Sequence, residues 1–244
     1  MAPNLVQTYR KQLDTDPEGM TNEVTFQHFM IARRKLAILA LTEYRMSDDS
    51  DFSCCLVVTE LGVDEWLTDA IEDDSQWSEE ELLASVADAR TGNDTVVGRF
   101  VYNPVQLTIN AEAQDQQGIQ IRGAFIDPDY RSGLARQVYQ YLRGKYGCVV
   151  SDDMQTLSGA LLWLIGINQL TSQCIEVYDA QRQSIRGYLD YPIKPGSFKP
   201  WCLTGLTHQQ ITQESSSKFD VVDYAEQDDK RHILFLLRLS LIHI

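Results

Sequence analysis

The sequence lacks any apolar segment long enough to cross a membrane. Its longest apolar run, residues 233–244, is about a dozen residues long and is interrupted by Arg238 and His243, whereas a spanning helix needs about 20 residues. The first residues also lack an apolar stretch behind a basic one, so no signal peptide is predicted. We therefore expect a soluble protein of the cytoplasm.

Cysteine and histidine show no pattern typical of a metal site. The five cysteines are odd in number and include no C-x-x-C pair, which favours reduced thiols over a disulfide framework or a zinc site. The four histidines lack metal-ligand spacing, and the glycine and serine motifs of nucleotide-binding proteins and serine hydrolases are absent. We predict no metal.

Basic residues are few relative to acidic ones. The chain has 21 Lys and Arg against 35 Asp and Glu, which gives a formal net charge of -14. Such a chain repels phosphate backbones and anionic membranes, so we expect no direct nucleic-acid binding and no membrane association. A cationic small molecule or a basic protein is the partner that this charge favours.

The composition is that of a globular protein, with 43% apolar and 23% charged residues among 244. Three regions differ in pattern: a mainly helical N-terminal region (residues 1–95), a central region (96–187) and a C-terminal extension that completes the core (188–244). The length fits one large domain or two small ones. The last apolar run fits a buried strand or a helix equally well.

Helical spacing dominates the N-terminal region. Phe26, Phe29 and Met30, followed by the apolar run 36–41, recur at this spacing and predict helix. Ser78 and Glu81 form an S-x-x-E capping box that predicts a helix start, and the apolar run 54–59 predicts an intervening strand.

An acidic cluster follows that strand, and it has two interpretations. It is either a solvated helix face or a patch that meets a basic partner. Its members are Glu65, Asp69, Glu72, Asp73, Asp74, Glu79, Glu80 and Glu81.

The central region alternates strands and helices. Strands are predicted at 96–101 and 105–111, joined by a turn at Asn103-Pro104, and helices are predicted from Leu134 to near Gly144–Gly147 and at 158–168. Further strands are predicted at 119–126, 148–151 and 175–178. This alternation predicts an α/β fold with helices covering a sheet.

The segment 125–139 is the most informative for function. A strand ends at Pro128, a turn containing Gly133 follows, and an amphipathic helix begins at Leu134. This arrangement points backbone N–H groups and a helix dipole at one spot, which suits a pyrophosphate. Gly133 allows the backbone to approach a ligand closely.

These residues resemble the GCN5-related N-acetyltransferase (GNAT) superfamily, especially its bacteriophage members. The resemblance is carried by residues 126–135 and, more weakly, by 151–155, Gly159 and Trp163. It implies an α/β (α+β) fold with a GNAT-like mixed central sheet flanked by helices, and a location in the host cytoplasm if a phage encodes the chain.

The resemblance also implies acetyl-CoA as the cofactor. The strand carrying Phe125 and Ile126 would pair with the pantetheine arm. The pyrophosphate would be held by the loop Arg131, Ser132, Gly133, Leu134 and Ala135.

The predicted function is transfer of an acetyl group from acetyl-CoA to an amine, either a small cation or a protein lysine. Ser151 and Asp152 follow the next strand, where the acyl group would arrive, and are the predicted catalytic residues; helix capping is their alternative role. The loop is one residue shorter than the family pattern, and the later helix lacks the usual tyrosine. The alternative function is therefore a weakly active or inactive GNAT-like phage protein that binds and inhibits or redirects a host protein.

Overall fold

Strands dominate the described part of the protein. The computed structural model describes residues 13–73, 77–109, 114–130, 133–153, 159, 162–167, 175–188 and 233–238. Its strands are β1 (Met20–Ala32), β2 (Ala37–Met46), β3 (Cys54–Glu60), β4 (Thr95–Ile109), β5 (Gln114–Ile126), β6 (Cys148–Val150), β7 (Glu176–Asp179), β8 (Ser184–Tyr188) and β9 (Ile233–Arg238). Within the described ranges these nine strands form one mixed sheet in the order β1-β2-β3-β4-β5-β6-β9-β7-β8.

The helices are few and mostly short. The α-helices of the described residues are α1 (Glu65–Glu72), α2 (Glu79–Ala84), α3 (Val86–Ala89) and α4 (Leu134–Tyr146). A π-helical stretch covers Leu162–Ile167, and short 3-10 turns lie at Arg33–Lys35 and Pro128–Tyr130. The prediction of a GNAT-like sheet flanked by helices, with a mainly helical N-terminal region, is therefore wrong.

The predicted first helix is instead the β1–β2 hairpin. The two strands pair antiparallel from His28 with Leu41 to Ala32 with Ala37, and the turn between them ends at Leu36, whose φ of 50° is left-handed. Every residue of β2 from Ala37 to Glu43 is buried. A strand buried on both faces has a continuous apolar run rather than alternation, and periodicity cannot separate such a run from a helix.

The turn predicted at Asn103-Pro104 is also wrong, because β4 continues through both residues. Pro104 is exposed, and a proline can remain in a strand where its missing N–H is not required by a neighbour. Other local predictions are confirmed: β3 and β6 are strands, and α4 is a helix. The last apolar run, for which strand and helix were both open, forms the strand β9 over Ile233–Arg238.

The chain divides into two compact units. The N-terminal unit comprises Val6–Tyr102 and Gly123–Leu134, and the C-terminal unit comprises Met1–Leu5, Asn103–Arg122 and Ala135–Ile244. The two units are described separately below.

In the N-terminal unit, the helices between β3 and β4 cover part of the sheet. Leu67, Ala70 and Ile71 recur at i, i+3 and i+4 on α1, which places them on one buried face. The predicted capping box starts α2: the Ser78 hydroxyl accepts from the Glu81 N–H at 3.2 Å, and the Glu81 carboxylate accepts from the Ser78 N–H at 2.8 Å. The core of this region consists of Ile31, Ile38, Ala40, Leu61, Leu67, Ala70, Ile71, Leu82, Val86 and Ala89.

The C-terminal unit is organised around a short parallel pairing. β5 pairs with β6 at two positions, Ile119 with Val149 and Gln120 with Val150. β9 then runs antiparallel to both β6 and β7, and β8 is paired with β7. The core on one side of these strands consists of Leu107, Ile109, Cys148, Val150, Tyr178, Leu234 and Leu236.

Gly118 permits the close approach of β5 to β6. A Cβ atom on Gly118 would lie 2.7 Å from the Cys148 carbonyl oxygen and 2.8 Å from the Cys148 Cβ. Gly118→Ala should therefore lower the free energy of unfolding by about 1–3 kcal/mol, measured by urea denaturation.

Gly144 on α4 provides the matched control, since a Cβ there meets nothing within 4 Å. Gly144→Ala should raise the free energy of unfolding by about 0.5–1 kcal/mol, because alanine is the better helix former. Equal effects of the two substitutions would contradict the close packing at Gly118.

Candidate functional site

A cluster of polar side chains lies in the C-terminal unit at the point where β5 and β6 stop pairing. The last paired residues are Gln120 and Val150, and β5 continues beyond this point while β6 ends. The side-chain amide of Gln120 donates to the Ser151 carbonyl oxygen at 3.0 Å. Beyond this point, Arg122 on β5 contacts Asp152 and Asp153, which follow β6.

Ser151 is fixed by its contacts with β9. Its backbone N–H donates to the Phe235 carbonyl oxygen at 2.9 Å, and its hydroxyl accepts from the Phe235 N–H at 2.9 Å. The residue is fully buried. These contacts set the direction in which the chain leaves β6 and thereby position Asp152.

Arg122 bridges the two carboxyl groups. Its Nη1 atom lies 2.9 Å from Asp152 Oδ1 and 3.0 Å from Asp153 Oδ1. Asp152 Oδ1 also accepts from the Asp153 N–H at 2.9 Å. The Asp152 side chain is only 18% exposed, against 40% for Asp153, so Asp152 is the carboxyl group that is withdrawn from water.

Burial raises the pKa of Asp152 to about 8, and its hydrogen bond with Asp153 adds to the rise against the opposing charge of Arg122. For Asp153, burial opposes ionisation, but the hydrogen bond with Asp152 and the charge of Arg122 outweigh it, so its pKa is lowered. The two adjacent carboxyl groups therefore titrate as a coupled pair, in which Asp152 is the group that favours the proton. A carboxyl group that titrates near neutral pH suits proton transfer.

Aromatic side chains line the interior beside this group. Tyr139 on α4 contacts Trp163 edge-to-face at 5.4 Å between ring centroids, and Trp163 contacts Phe235 at 6.2 Å. Burial and, secondarily, the charge of Asp152 raise the pKa of the Tyr139 hydroxyl. Tyr139 is therefore neutral at physiological pH, within the electrostatic influence of Asp152.

The predicted cofactor-binding residues lie at the end of β5 and the start of α4. Phe125 and Ile126 are the last two residues of β5, whereas Arg131 and Ser132 lie outside the described residues. Gly133 has a φ of 127°, a Cβ added to it would meet no atom of the described residues within 4 Å, and α4 begins directly after it.

The two units share the predicted site residues. Of the predicted cofactor residues described, Phe125, Ile126, Gly133 and Leu134 belong to the N-terminal unit, and Ala135 belongs to the C-terminal unit together with Ser151 and Asp152. The structure places the two predicted catalytic residues side by side. Their alternative role, helix capping, involves residues 154–158, which lie outside the described residues.

Sequence reasoning missed Arg122 and Tyr139. Arg122 lies on β5 two residues after Gln120, on the strand face opposite the buried Ile119 and Ile121. A charge at this position was a visible signal. Tyr139 gave no comparable signal, since its side chain continues the apolar face of α4.

No protein-family model, curated protein or solved structure matches the chain. The resemblance to the GNAT superfamily therefore stays a prediction from the residues. Among the helices of the described ranges, none is long and apolar enough to span a membrane. The described residues also contain no group of three or more His, Cys, Asp or Glu side chains that could hold a metal ion.

The raised pKa of Asp152 makes the free energy of unfolding depend on pH. Because Asp152 has a pKa of about 8 in the folded protein against 3.8 ordinarily, its contribution is complete below about pH 4 and is lost as the pH rises towards about 8. The free energy of unfolding should fall across this range, with a slope of at most about 1.4 kcal/mol per pH unit from this group. Urea denaturation between about pH 5 and pH 8 measures it.

The comparison with Asp152→Asn isolates the contribution of this carboxyl group. The variant keeps the other titrating groups, so the difference between the two pH profiles reports Asp152. Because the pKa of Asp153 is lowered, this carboxyl group titrates below the ordinary range of an aspartate, outside the pH window of the measurement. Parallel profiles would show that Asp152 has an ordinary pKa.

Proposed function

We propose that the protein transfers an acetyl group from acetyl-CoA to an amine, with Asp152 as the residue that accepts the proton. The observation that carries the proposal is the carboxyl pair itself: Arg122 bridges Asp152 and Asp153, the Asp152 side chain is only 18% exposed, and burial raises the pKa of Asp152 to about 8. The sheet is not flanked by helices as in the GNAT superfamily, so the fold does not support the proposal. What supports the proposal is the carboxyl pair together with the glycine that precedes α4.

The reaction requires a base because an amine loses a proton when it becomes an amide nitrogen. As a neutral amine attacks the thioester carbonyl carbon, the C–N bond forms and the C–S bond breaks. One amine proton passes to the Asp152 carboxylate and then to the departing sulfur. A base with a pKa close to the working pH serves both transfers, because it accepts and releases a proton at similar cost.

Arg122 and Ser151 have positioning roles in this proposal. Arg122 holds the carboxyl groups of Asp152 and Asp153 together at 2.9 Å and 3.0 Å. Ser151 fixes the chain to Phe235 on β9. Neither needs to contact the substrate.

The residues at the start of α4 fit a pyrophosphate in the part that the structure describes. A thirteen-residue helix begins at Leu134, and its first N–H groups are without helical partners by geometry. Gly133, with its φ of 127° and nothing within 4 Å of a Cβ, leaves room for a ligand. The N–H groups of Gly133, Leu134 and Ala135 would bind the pyrophosphate of acetyl-CoA, which supplies the activated acetyl group.

The net charge of -14 favours a cationic acceptor, since a negative protein raises the local concentration of cations. We propose a polyamine or a lysine side chain as the acceptor class. A nucleotide acceptor is disfavoured by the same charge.

Asp152→Asn should lower kcat by about 10²–10⁴-fold, because the variant removes the base, while leaving acetyl-CoA affinity unchanged. The assay is release of coenzyme A thiol with spermidine and with a lysine peptide as acceptors, alongside calorimetry with acetyl-CoA. Asp115→Asn, at an exposed carboxylate of β5, is the matched control and should keep full activity. No acetyl-CoA binding at millimolar concentration would overturn the proposal.

The pH profile separates Asp152 from the titration of the acceptor amine. For the unaltered protein, kcat/KM should rise with pH through about 8, the pKa of Asp152. Asp153→Asn removes the like charge and the hydrogen bond that raise this pKa, so the rise should move to lower pH. An unchanged profile would assign the titration to the acceptor instead.

Gly133→Glu should abolish acetyl-CoA binding, because the added carboxylate would occupy the open space beside α4 and repel the pyrophosphate. Gly92→Glu is the matched control: Gly92 also has a positive φ, of 82°, and open surroundings. It introduces the same charge and a similar backbone strain in the segment between α3 and β4. Calorimetry should show binding by the Gly92 variant alone, and binding by both variants would place the coenzyme elsewhere.

A further inference from the structure

Two tryptophans form an exposed aromatic pair on the N-terminal unit. Trp66 lies in the first turn of α1, and Trp77 lies directly before the N-cap residue of α2. Their ring centroids are 6.3 Å apart with the planes tilted by 48°. The two residues remain 43% and 40% exposed. We call them the Trp pair.

The position of the Trp pair is not explained by packing of the core. α1 already buries Leu67, Ala70 and Ile71 against the sheet, so Trp66 projects from the outward part of the helix. Among the described residues, the other exposed large hydrophobic side chains are Val24 and Tyr188, on β1 and β8. Tryptophan is the residue most enriched at the energetic centres of protein interfaces.

Carboxylates surround the Trp pair. Asp69 follows Trp66 by three residues on α1, Asp73 is the C-cap residue of the same helix, and both are exposed. Glu79 and Glu80 follow Trp77 in the first turn of α2 and are exposed too.

Positive charge is absent from this stretch of sequence. Residues 46–89 contain no Lys, Arg or His. The surface therefore combines two indole faces with negative charge from its own segment.

We propose that the Trp pair and its surrounding carboxylates bind an arginine-containing basic segment of a partner protein. A guanidinium group stacks on an indole face while it donates to a carboxylate, and both groups are present here within one surface. Arginine suits this arrangement better than lysine, because its planar group stacks and donates at the same time. The proposal is independent of acetyl transfer, since none of its residues is among those assigned to acetyl-CoA or to proton transfer.

The test measures binding of a fluorescent peptide of alternating arginine and glycine by fluorescence anisotropy at low and physiological salt. The double variant Trp66→Ala/Trp77→Ala should weaken binding by about tenfold or more. Because it leaves the net charge unchanged, the loss reports the indoles and not general attraction. Tyr188→Ala removes an exposed aromatic residue from β8 and should bind as the unaltered protein does.

Charge variants test the carboxylates against the overall charge. Asp69→Asn/Glu80→Gln and Asp48→Asn/Asp49→Asn each remove two exposed acidic groups of the same unit. The first pair should weaken binding several-fold more than the second, and its effect should diminish at high salt. Circular dichroism checks that each variant is folded.

Three results would overturn the proposal: no binding of the arginine peptide, equal affinity of the double tryptophan variant, or equal affinity for a lysine–glycine peptide. Asp152→Asn should bind the peptide normally. A loss of acetyl transfer with intact peptide binding, or the reverse, would thus separate this inference from the proposed function.

Discussion

The short parallel pairing between β5 and β6 is the constraint on which the C-terminal unit depends. It lasts for two residue pairs, after which the backbones have no common hydrogen bonds and side chains take their place. Gln120 binds the Ser151 carbonyl oxygen, and Arg122 binds the two carboxyl groups beyond it. The pKa of Asp152 is raised because this separation brings two carboxyl groups together in a site that is partly shielded from water, against the opposing charge of Arg122.

Local signals predicted local structure well. Ser78 and Glu81 specify a helix start through hydrogen bonds within four residues, and α4 shows its apolar face at helical spacing; both were confirmed. The β1–β2 hairpin could not be predicted in the same way, because β2 is buried by residues distant in sequence. Its apolar run indicates burial on both faces, but it does not indicate whether the backbone hydrogen bonds are those of a helix or of a sheet.

The candidate site was predictable only in part, for a similar reason. Residues 151–153 could be located after a strand, and Asp152 could be chosen by residue type. Its raised pKa depends on burial, on Asp153 and on the opposing charge of Arg122, which lies about thirty positions earlier in the chain. The protonation of a carboxyl group depends on its distance from other charges and on the local dielectric environment, and a sequence pattern predicts neither.

The position of β9 has a consequence for the order of folding. β9 lies between β6 and β7, and Phe235 contacts Ser151 across a separation of 84 residues. During synthesis, β1, β2 and β3 can pair with their neighbours as soon as they emerge, whereas β6 and β7 must wait for residues 233–238 to leave the ribosome. The carboxyl pair beside Ser151 is therefore among the last parts of the molecule to acquire its geometry, and a nascent chain halted before β9 would present two unpaired strand edges instead.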